Sequence, residues 1–167
     1  TVRRVQKAAR EMHYVRNQTA FNLRRQRSGV VGVLLANFRM DWAERVMSGL
    51  LEVFDPRGYC PFVAAHRFDP ERYRRELTAA LQRRDEGVIC QPLPGHEDLY
   101  REFAGVGIPL VFIGDVPVEL PGSSYVVWDS GAAAGAAVRH LVEIGRRRIG
   151  YIGFEYPLKM SLARFEA

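Results

Sequence analysis

The stretch Gly29-Val-Val-Gly-Val-Leu-Leu-Ala36 is an unbroken apolar run, and an amphipathic stretch, Asp41–Phe54, follows it. Short apolar runs are typical of strands that are buried on both faces, and a helix after such a strand is the usual connection between parallel strands. The same alternation continues downstream and predicts an α/β fold, with a parallel sheet flanked by helices on both faces. Further strands are predicted at residues 59–64, 87–91, 109–114, 125–128 and 148–153, and further helices at 70–84, 96–106 and 130–144.

The 28 residues before this run form a basic arm. They contain eight basic side chains and one acidic side chain, Glu11, so their net charge is +7, whereas the remaining 139 residues carry −2. A basic arm joined to a nearly neutral body indicates that the arm meets a polyanion and that the body has a different task. The basic residues are Arg3, Arg4, Lys7, Arg10, Arg16, Arg24, Arg25 and Arg27.

The composition indicates one globular domain with this arm as an appendage. The chain has 167 residues, of which 47% are hydrophobic, and this is enough to bury a core. No apolar run is long enough for a membrane helix, and the N-terminal residues do not form a signal peptide, so we expect a cytosolic protein. Cys60 and Cys90 both fall in predicted strands and are interpreted as small core residues.

A ligand site is predicted where the strands end, because ligands of open parallel sheets bind beyond the carboxyl ends of the strands. The residues at this edge are those of segment 37–42, Ala65 with His66, Asp115 and Asp129. An aromatic ring, carboxylates and an amide suit a small molecule that is rich in hydroxyl groups. Trp42 could equally be a partly buried helix residue, and Asp129 could simply be the N-cap of the next helix.

The arm itself has two helical segments. Val5, Ala8, Ala9 and Met12 recur at helical spacing and predict an amphipathic helix over residues 3–13. Residues 17–25 form a second, shorter pattern that is marginal as an isolated helix and could become ordered on binding a polyanion. The alternative is a solvated basic linker without a partner.

The order of motifs along the chain resembles the LacI/GalR family of transcriptional regulators. Arg4-Val5, Ala8-Ala9, His13-Tyr14, Asn17, Ala20 and Leu23 resemble the end of a DNA-binding headpiece and the hinge helix of that family, followed by its first core strand. Downstream the resemblance rests on Met47-Ser-Gly-Leu50, Gly58-Tyr59, Asp69-Pro-Glu71, Asp85-Glu-Gly-Val-Ile89, Gly107-Ile-Pro-Leu-Val111, Asp129 and His140-Leu-Val-Glu-Ile-Gly-Arg-Arg-Arg-Ile-Gly-Tyr-Ile-Gly153.

The resemblance implies a division of the chain. Residues 1–16 would be the end of a helix-turn-helix headpiece, 17–27 the hinge helix and linker, 28–153 the amino-terminal subdomain of a core like that of type I periplasmic binding proteins, and 154–167 the start of a second subdomain. We therefore expect a headpiece before Thr1 and the rest of the second subdomain after Ala167. The family also implies a homodimer through the core, with helices 41–54 and 70–84 as the expected contact surfaces.

The resemblance further implies how the protein would bind an operator. Paired hinge helices enter the minor groove, and a leucine at the position of Leu23 wedges between base steps. The implied DNA-binding residues are Asn17, Gln18, Thr19, Ala20, Leu23, Arg24 and Arg25.

For a small-molecule effector, such as a sugar or a nucleoside-like ligand, the resemblance implies a second set of residues. An aromatic ring would pack on the ligand, and carboxylates would accept hydrogen bonds from its hydroxyl groups. The implied residues are Asn37, Trp42, Asp115, Asp129 and Arg164. The chain also departs from the family pattern: Arg16 replaces a proline, Asn37, Met40 and Asp41 replace an Asp, Asn and Pro set, and Glu86 precedes Gly87 where a simpler Asp-Gly is usual.

Two other classes of protein share an α/β fold of this kind. A Rossmann-type enzyme requires a glycine-rich turn after the first strand, and residues 33–42 contain no glycine. The sequence also has no nucleophile elbow, no P-loop and no paired metal-binding histidines, so we expect no catalysis, no cofactor and no metal. A periplasmic-type sugar-binding protein without a DNA-binding role is the stronger alternative, because it shares the core fold but would not begin with a basic helix and hinge.

Overall fold

The computed structural model describes residues 2–14, 27–115, 120–153 and 159–167. No helix within these ranges is long and apolar enough to span a membrane. The helices are α1 (Val2–Glu11), α2 (Asp41–Phe54), α3 (Pro70–Arg83), α4 (Glu97–Gly105), α5 (Ser130–Glu143) and α6 (Lys159–Glu166), and the strands are β1 (Val30–Leu35), β2 (Cys60–Ala65), β3 (Gly87–Cys90), β4 (Leu110–Ile113) and β5 (Ser123–Val126).

The five strands form one parallel sheet in the order β2-β1-β3-β4-β5. In the register of the sheet, Val33 of β1 lies between Val63 of β2 and Ile89 of β3. The sequence-based prediction of a parallel α/β sheet is confirmed. The bounds of these strands, and of helices α1 to α5, agree with the predicted ranges to within two residues.

The strand predicted at residues 148–153 is wrong, because this segment has no regular secondary structure. Its apolar side chains are exposed, and Ile152 is 99% exposed. Alternation of apolar residues favours an extended backbone, but a strand exists only where a neighbouring strand accepts and donates its hydrogen bonds. In the described ranges no strand pairs with this segment.

Two hydrophobic clusters lie on opposite faces of the sheet. On one face, Leu34 packs with residues of α3 and α4, including Leu77 and Phe103. On the other face, Val33 and Leu35 pack against α2. The alternation of Val33, Leu34 and Leu35 between the clusters follows from the two-residue period of a strand, and it explains why the β1 sequence is apolar throughout.

Helix α5 departs from this arrangement, because it packs against α6 rather than joining either core cluster. Gly131 allows the close approach. A Cβ atom at Gly131 would lie only 3.1 Å from the carbonyl oxygen of Ala163, whereas one at Gly135 would be in ordinary van der Waals contact, 3.6 Å from the backbone oxygen of Ala167. Val138 and Val142, on the same helix, remain 45% exposed.

Strand β2 is an edge strand, and this changes the environment of Cys60. Cys60 is exposed, whereas Cys90 in the interior strand β3 is fully buried. The expectation of two core cysteines is therefore correct for Cys90 and wrong for Cys60. Apolar alternation does not distinguish an edge strand from an interior one, although an edge strand is covered on fewer sides.

Candidate functional site

The carboxyl ends of the five parallel strands define the candidate site, which we call the mouth. Because the strands are parallel, the segments that leave them begin at the same edge of the sheet. Four of the five predicted effector residues lie on these segments. They are Asn37 and Trp42 after β1, Asp115 after β4 and Asp129 after β5.

The segment after β1 is a tight turn that presents large side chains. The Asn37 Oδ1 atom accepts a hydrogen bond from the Arg39 N–H at 3.0 Å, and this side chain–backbone bond closes the turn. Phe38 and Met40 are more than 40% exposed. The Trp42 indole N–H donates to the Met40 sulfur at 3.1 Å, which holds the ring at the start of α2.

Trp42 forms an aromatic pair with Trp128, a residue that was predicted to end a strand and not to belong to the site. The ring centroids are 6.0 Å apart and the planes are tilted by 54°. Strand β5 ends at Val126, so Trp128 lies in the loop that leaves the sheet, immediately before Asp129. Its position directly before Asp129 is the feature of the sequence that could have predicted Trp128 as a site residue. Trp42 is also partly buried against the α2 cluster, so the alternative interpretation of a packed helix residue describes one of its roles.

Asp129 is the N-cap of α5. Its Oδ1 atom accepts a hydrogen bond from the Ala132 N–H at 2.8 Å. The other carboxylate oxygen, Oδ2, makes no hydrogen bond with the residues that the structure describes. The capping interpretation is therefore correct, and it leaves one oxygen of an exposed carboxylate available to accept hydrogen bonds from a ligand.

Asp115 and Arg164 lie on different segments of the chain from Trp42, Trp128 and Asp129. Asp115 is half-buried and follows Gly114, whose φ of 89° turns the chain out of β4. Arg164 is exposed on α6, whose Ala163 approaches the first turn of α5 at Gly131. The fold thus brings α6 beside the helix that Asp129 caps.

His66 directly follows β2 but is not part of an open site. Its side chain is completely buried, and its ring packs edge-on against Tyr73 with the centroids 5.1 Å apart. The Nδ1 atom accepts a hydrogen bond from the Phe68 N–H at 3.1 Å. Burial lowers the pKa of His66 to about 4, so the imidazole is neutral near pH 7. His66 therefore packs in the protein interior next to the mouth and does not line an open site.

The described residues contain no group of three or more His, Cys, Asp or Glu side chains that could hold a metal ion. The predicted effector residues that lie on the mouth instead supply two carboxylates, Asp115 and Asp129, and one amide, Asn37. Such groups bind hydroxyl-bearing molecules through directional hydrogen bonds.

The predicted DNA-binding residues lie outside the ranges that the structure describes. They are Asn17, Gln18, Thr19, Ala20, Leu23, Arg24 and Arg25. The described part of the arm is α1, an exposed helix that carries Arg4, Lys7 and Arg10. Val5 on this helix is 65% exposed, and Met12 just after it is 70% exposed. The apolar side of α1 is thus uncovered by the described residues.

Comparison with known proteins places these features in one class of protein. No family model matches the chain. The maltose regulon regulatory protein MalI of Escherichia coli is 28% identical over 99% of this chain and 48% of its own length. The transcriptional regulator PtxS of Pseudomonas aeruginosa is 30% identical over 99% of this chain and 48% of its own length.

Solved structures agree with the sequence comparison. A LacI-family transcriptional regulator from Silicibacter pomeroyi superimposes with a TM-score of 0.80 at 29% identity, and the match covers 98% of this chain and 49% of that one. The chain is thus similar to LacI-family transcriptional regulators over nearly its whole length. The resemblance that the motifs indicated is confirmed, and so is the core fold.

The match to LacI-family proteins includes the arm as well as the sheet, because it covers nearly the whole chain. The chain spans about half the length of the curated relatives it matches. These relatives are transcriptional regulators and not enzymes, and they do not favour the hypothesis of a periplasmic-type binding protein.

Proposed function

We propose that the full-length protein is a sequence-specific DNA-binding regulator, of repressor type, whose operator affinity is switched by a small-molecule effector, and that it is not an enzyme. The observation that carries this proposal is the similarity to MalI and PtxS over 99% of the chain, through both the basic arm and the sheet. A ligand-binding protein without a DNA-binding role would have no use for an arm of net charge +7.

The arm would bind the operator, with residues 1–16 as the end of a headpiece and residues 17–27 as the hinge and linker. Hinge helices of two subunits would enter the minor groove, where Leu23 would unstack a base step. Arg24, Arg25 and the polar residues 17–19 would contact the phosphates and the groove floor. Residues 28–153 would form the amino-terminal core subdomain and residues 154–167 would begin the second.

Replacement of the proposed wedge tests this arrangement. In the full-length protein, we expect Leu23→Ala to weaken binding to the preferred operator by at least tenfold, because an alanine cannot hold a base step open. The measurement is a fluorescence anisotropy titration with a duplex that the wild-type protein selects from a random-sequence pool. Effector affinity should be unchanged, and wild-type operator affinity in the variant would contradict the wedge.

The mouth would bind the effector. The Trp42–Trp128 pair offers aromatic faces for the apolar side of a sugar or nucleoside ring, and Asp129 Oδ2 and the Asn37 amide offer hydrogen-bonding groups for hydroxyl groups. We include Asp115 and Arg164 in the site on the resemblance alone. The name of MalI associates that relative with a maltose regulon, which supports a sugar as the ligand class.

Two substitutions at Asp129 separate its capping role from ligand binding. Asparagine also caps helices well but carries no charge, whereas alanine removes the cap at a cost of about 1 kcal/mol. We therefore expect Asp129→Asn to retain thermal stability but to bind the effector at least fivefold more weakly, and Asp129→Ala to lose both.

The effector for this test is a hit from a thermal-shift screen of sugars and nucleosides against the full-length protein, and affinity is measured by calorimetry. If the ligand binds Asp129→Asn as tightly as it binds the wild type, Asp129 is not part of the effector site.

The switch would operate through a homodimer. Exposed apolar side chains lie on two adjacent elements at the β2 edge of the sheet, Leu51 and Val53 on α2 and Phe62 and Val63 on β2. A second copy of the chain would cover them. Effector binding would then change the spacing of the two hinges by favouring one arrangement of the subunits.

A further inference from the structure

Three polar side chains meet at the amino-terminal edge of the sheet, opposite the mouth. Arg27 precedes β1, Tyr59 directly precedes β2 and Glu86 directly precedes β3. The Arg27 guanidinium donates to Glu86 Oε2 from Nε at 3.0 Å and from Nη2 at 2.6 Å. Nη2 also donates to the Tyr59 hydroxyl oxygen at 3.0 Å. The last basic residue of the arm is thus bound by two side chains of the core.

Hydrogen bonds of the Gly29 backbone also hold the segment that joins the arm to β1. The Gly29 N–H donates to Glu86 Oε1 at 2.8 Å, so both carboxylate oxygens of Glu86 bind the segment that joins the arm to β1. On the other side, the Gly29 carbonyl oxygen accepts a hydrogen bond from the Cys60 N–H at 2.8 Å. Residues 27–29 are therefore held from both neighbouring strands before β1 begins.

The partners of Arg27 are themselves fixed. Tyr59 is half-buried and packs edge-on against Phe54, with the ring centroids 6.1 Å apart. Glu86 is only 17% exposed, and its backbone N–H donates to the Val30 carbonyl oxygen at 2.8 Å. The ion pair with Arg27 lowers the pKa of Glu86, so the carboxylate stays charged at neutral pH. An ionised acceptor with two oriented donors makes strong, geometrically specific hydrogen bonds.

We propose that Glu86 is a positioning residue for DNA binding, which clamps Arg27 and Gly29 so that the basic arm leaves the core at a fixed point and in a fixed direction. The clamp rests on the proposed function of the arm. It would raise operator affinity by presenting the arm in its binding geometry, because less conformational freedom is then lost on association.

Substitution of Glu86 distinguishes a clamp from a simple charge effect. Loss of a carboxylate beside a basic arm makes the protein more positive, and electrostatics alone would then tighten DNA binding. If Glu86 positions the arm, Glu86→Gln weakens binding instead. Glu102→Gln is the matched control, because Glu102 lines the same surface groove as Glu86 and the change in charge is identical.

The experiment uses the full-length protein and a duplex that the wild type selects from a random-sequence pool. We expect Glu86→Gln to weaken operator binding about fivefold, as for loss of one charge-assisted hydrogen bond, while Glu102→Gln binds as well as or better than wild type. Arg27→Lys keeps the charge but not the two-pronged geometry, and it should weaken binding in the same direction. Equal or tighter binding by Glu86→Gln would overturn the proposal.

Limited trypsin digestion provides a readout that does not depend on DNA. An ion-paired Arg27 is a poor trypsin site, so we expect cleavage of the Arg27–Ser28 bond to be about threefold faster in Glu86→Gln, relative to cleavage in the exposed segment 146–148. An unchanged rate would overturn the clamp. If the wild-type protein selects no duplex, the proposed function fails and takes the positioning role with it, while digestion still decides whether the clamp exists.

Discussion

His66 shows how burial changes the chemistry of a single residue. It follows β2 at the edge where ligands bind, yet its side chain is fully buried among aromatic rings. Burial, with smaller contributions from His96 and Arg72, lowers its pKa from 6.5 to about 4. Between these two values the unfolded chain binds a proton that the folded chain does not. The folded state therefore loses stability as the pH falls through 6.5 towards 4.

Replacement of His66 by a side chain that does not titrate should flatten this dependence. Because burial lowers the pKa of His66 from 6.5 to about 4, wild type should lose about 2 kcal/mol of unfolding free energy between pH 7.5 and pH 5 through this group. His66→Gln should lose about 2 kcal/mol less over the same interval, although its stability at pH 7.5 is lower because packing is lost. Urea unfolding at both pH values measures the difference.

The control for this measurement is His140→Gln, which removes an exposed imidazole on α5. It should keep the wild-type pH dependence. A wild-type slope in His66→Gln would mean that other groups cause the acid sensitivity.

Single residues were predicted best where a local rule applies. The cap at Asp129 follows from residue type and position alone, and the structure confirms it. The pairing of Trp128 with Trp42 could not be predicted in this way, because it depends on how far β5 extends and on the geometry of two separate loops. Gly32 is a similar case: a Cβ there would lie 2.9 Å from the Asp85 carboxylate, a contact between residues far apart in sequence.

At the scale of elements, helices α3 and α4 are joined by a buried chain of hydrogen bonds. The Tyr100 hydroxyl donates to the Leu93 carbonyl oxygen at 3.1 Å and lies 2.9 Å from the Tyr73 hydroxyl. Since the Tyr100 proton is used for Leu93, Tyr73 is the donor in the second bond. Both side chains are completely buried, so a group left without a partner here has no access to water.

The order of these hydrogen bonds predicts that two matched substitutions have unequal effects. Tyr100→Phe removes the hydrogen-bond partner of both the Tyr73 hydroxyl and the Leu93 carbonyl oxygen. It should cost about 2 to 3 kcal/mol of unfolding free energy. Tyr73→Phe leaves the Tyr100 hydroxyl bonded to Leu93 and removes the Tyr73 hydroxyl with its weak hydrogen bond to the Cys90 thiol, so it should cost about 1 kcal/mol. Chemical denaturation of both variants measures the difference. A larger loss in Tyr73→Phe would mean that the Tyr100 hydroxyl donates to Tyr73 and not to the Leu93 carbonyl oxygen.

Elements were predictable from sequence where local pattern and tertiary environment agree. Strand β1 and helix α2 show such agreement, because the apolar residues that define the pattern are those buried in the two clusters. Residues 148–153 have a strand-like pattern without a partner strand, and α5 packs on α6 instead of the sheet. In both cases the structure depends on which neighbouring element is available for pairing or packing. A local sequence pattern carries no information about that neighbour.

At the scale of the whole molecule, the sheet separates the two surfaces to which the proposed functions are assigned. The mouth lies at the carboxyl ends of the strands, and the junction with the basic arm lies at their amino ends. The β2 edge, which is the proposed dimer surface, runs between these two ends. A dimer that forms along this edge with its two-fold axis parallel to the strands would place two arms on one side and two mouths on the other.

The dimer surface can be tested by placing a charge on it. Val53 on α2 is 47% exposed and Val63 on β2 is 41% exposed, and a buried unpaired carboxylate at either position would disfavour association. We expect Val53→Glu and Val63→Glu each to raise the dimer dissociation constant of the full-length protein at least tenfold, measured by sedimentation velocity.

Val106→Glu is the control with the same change in charge. Val106 is 65% exposed on the turn between α4 and β4, and β4 lies three positions from β2 in the sheet. This variant should dimerise like the wild type, because its added carboxylate stays in water. If all three variants remain dimers, the subunits meet on another face, and the exposed apolar residues of α2 and β2 require a different partner. If the wild type is a monomer, the proposal of a homodimer is wrong.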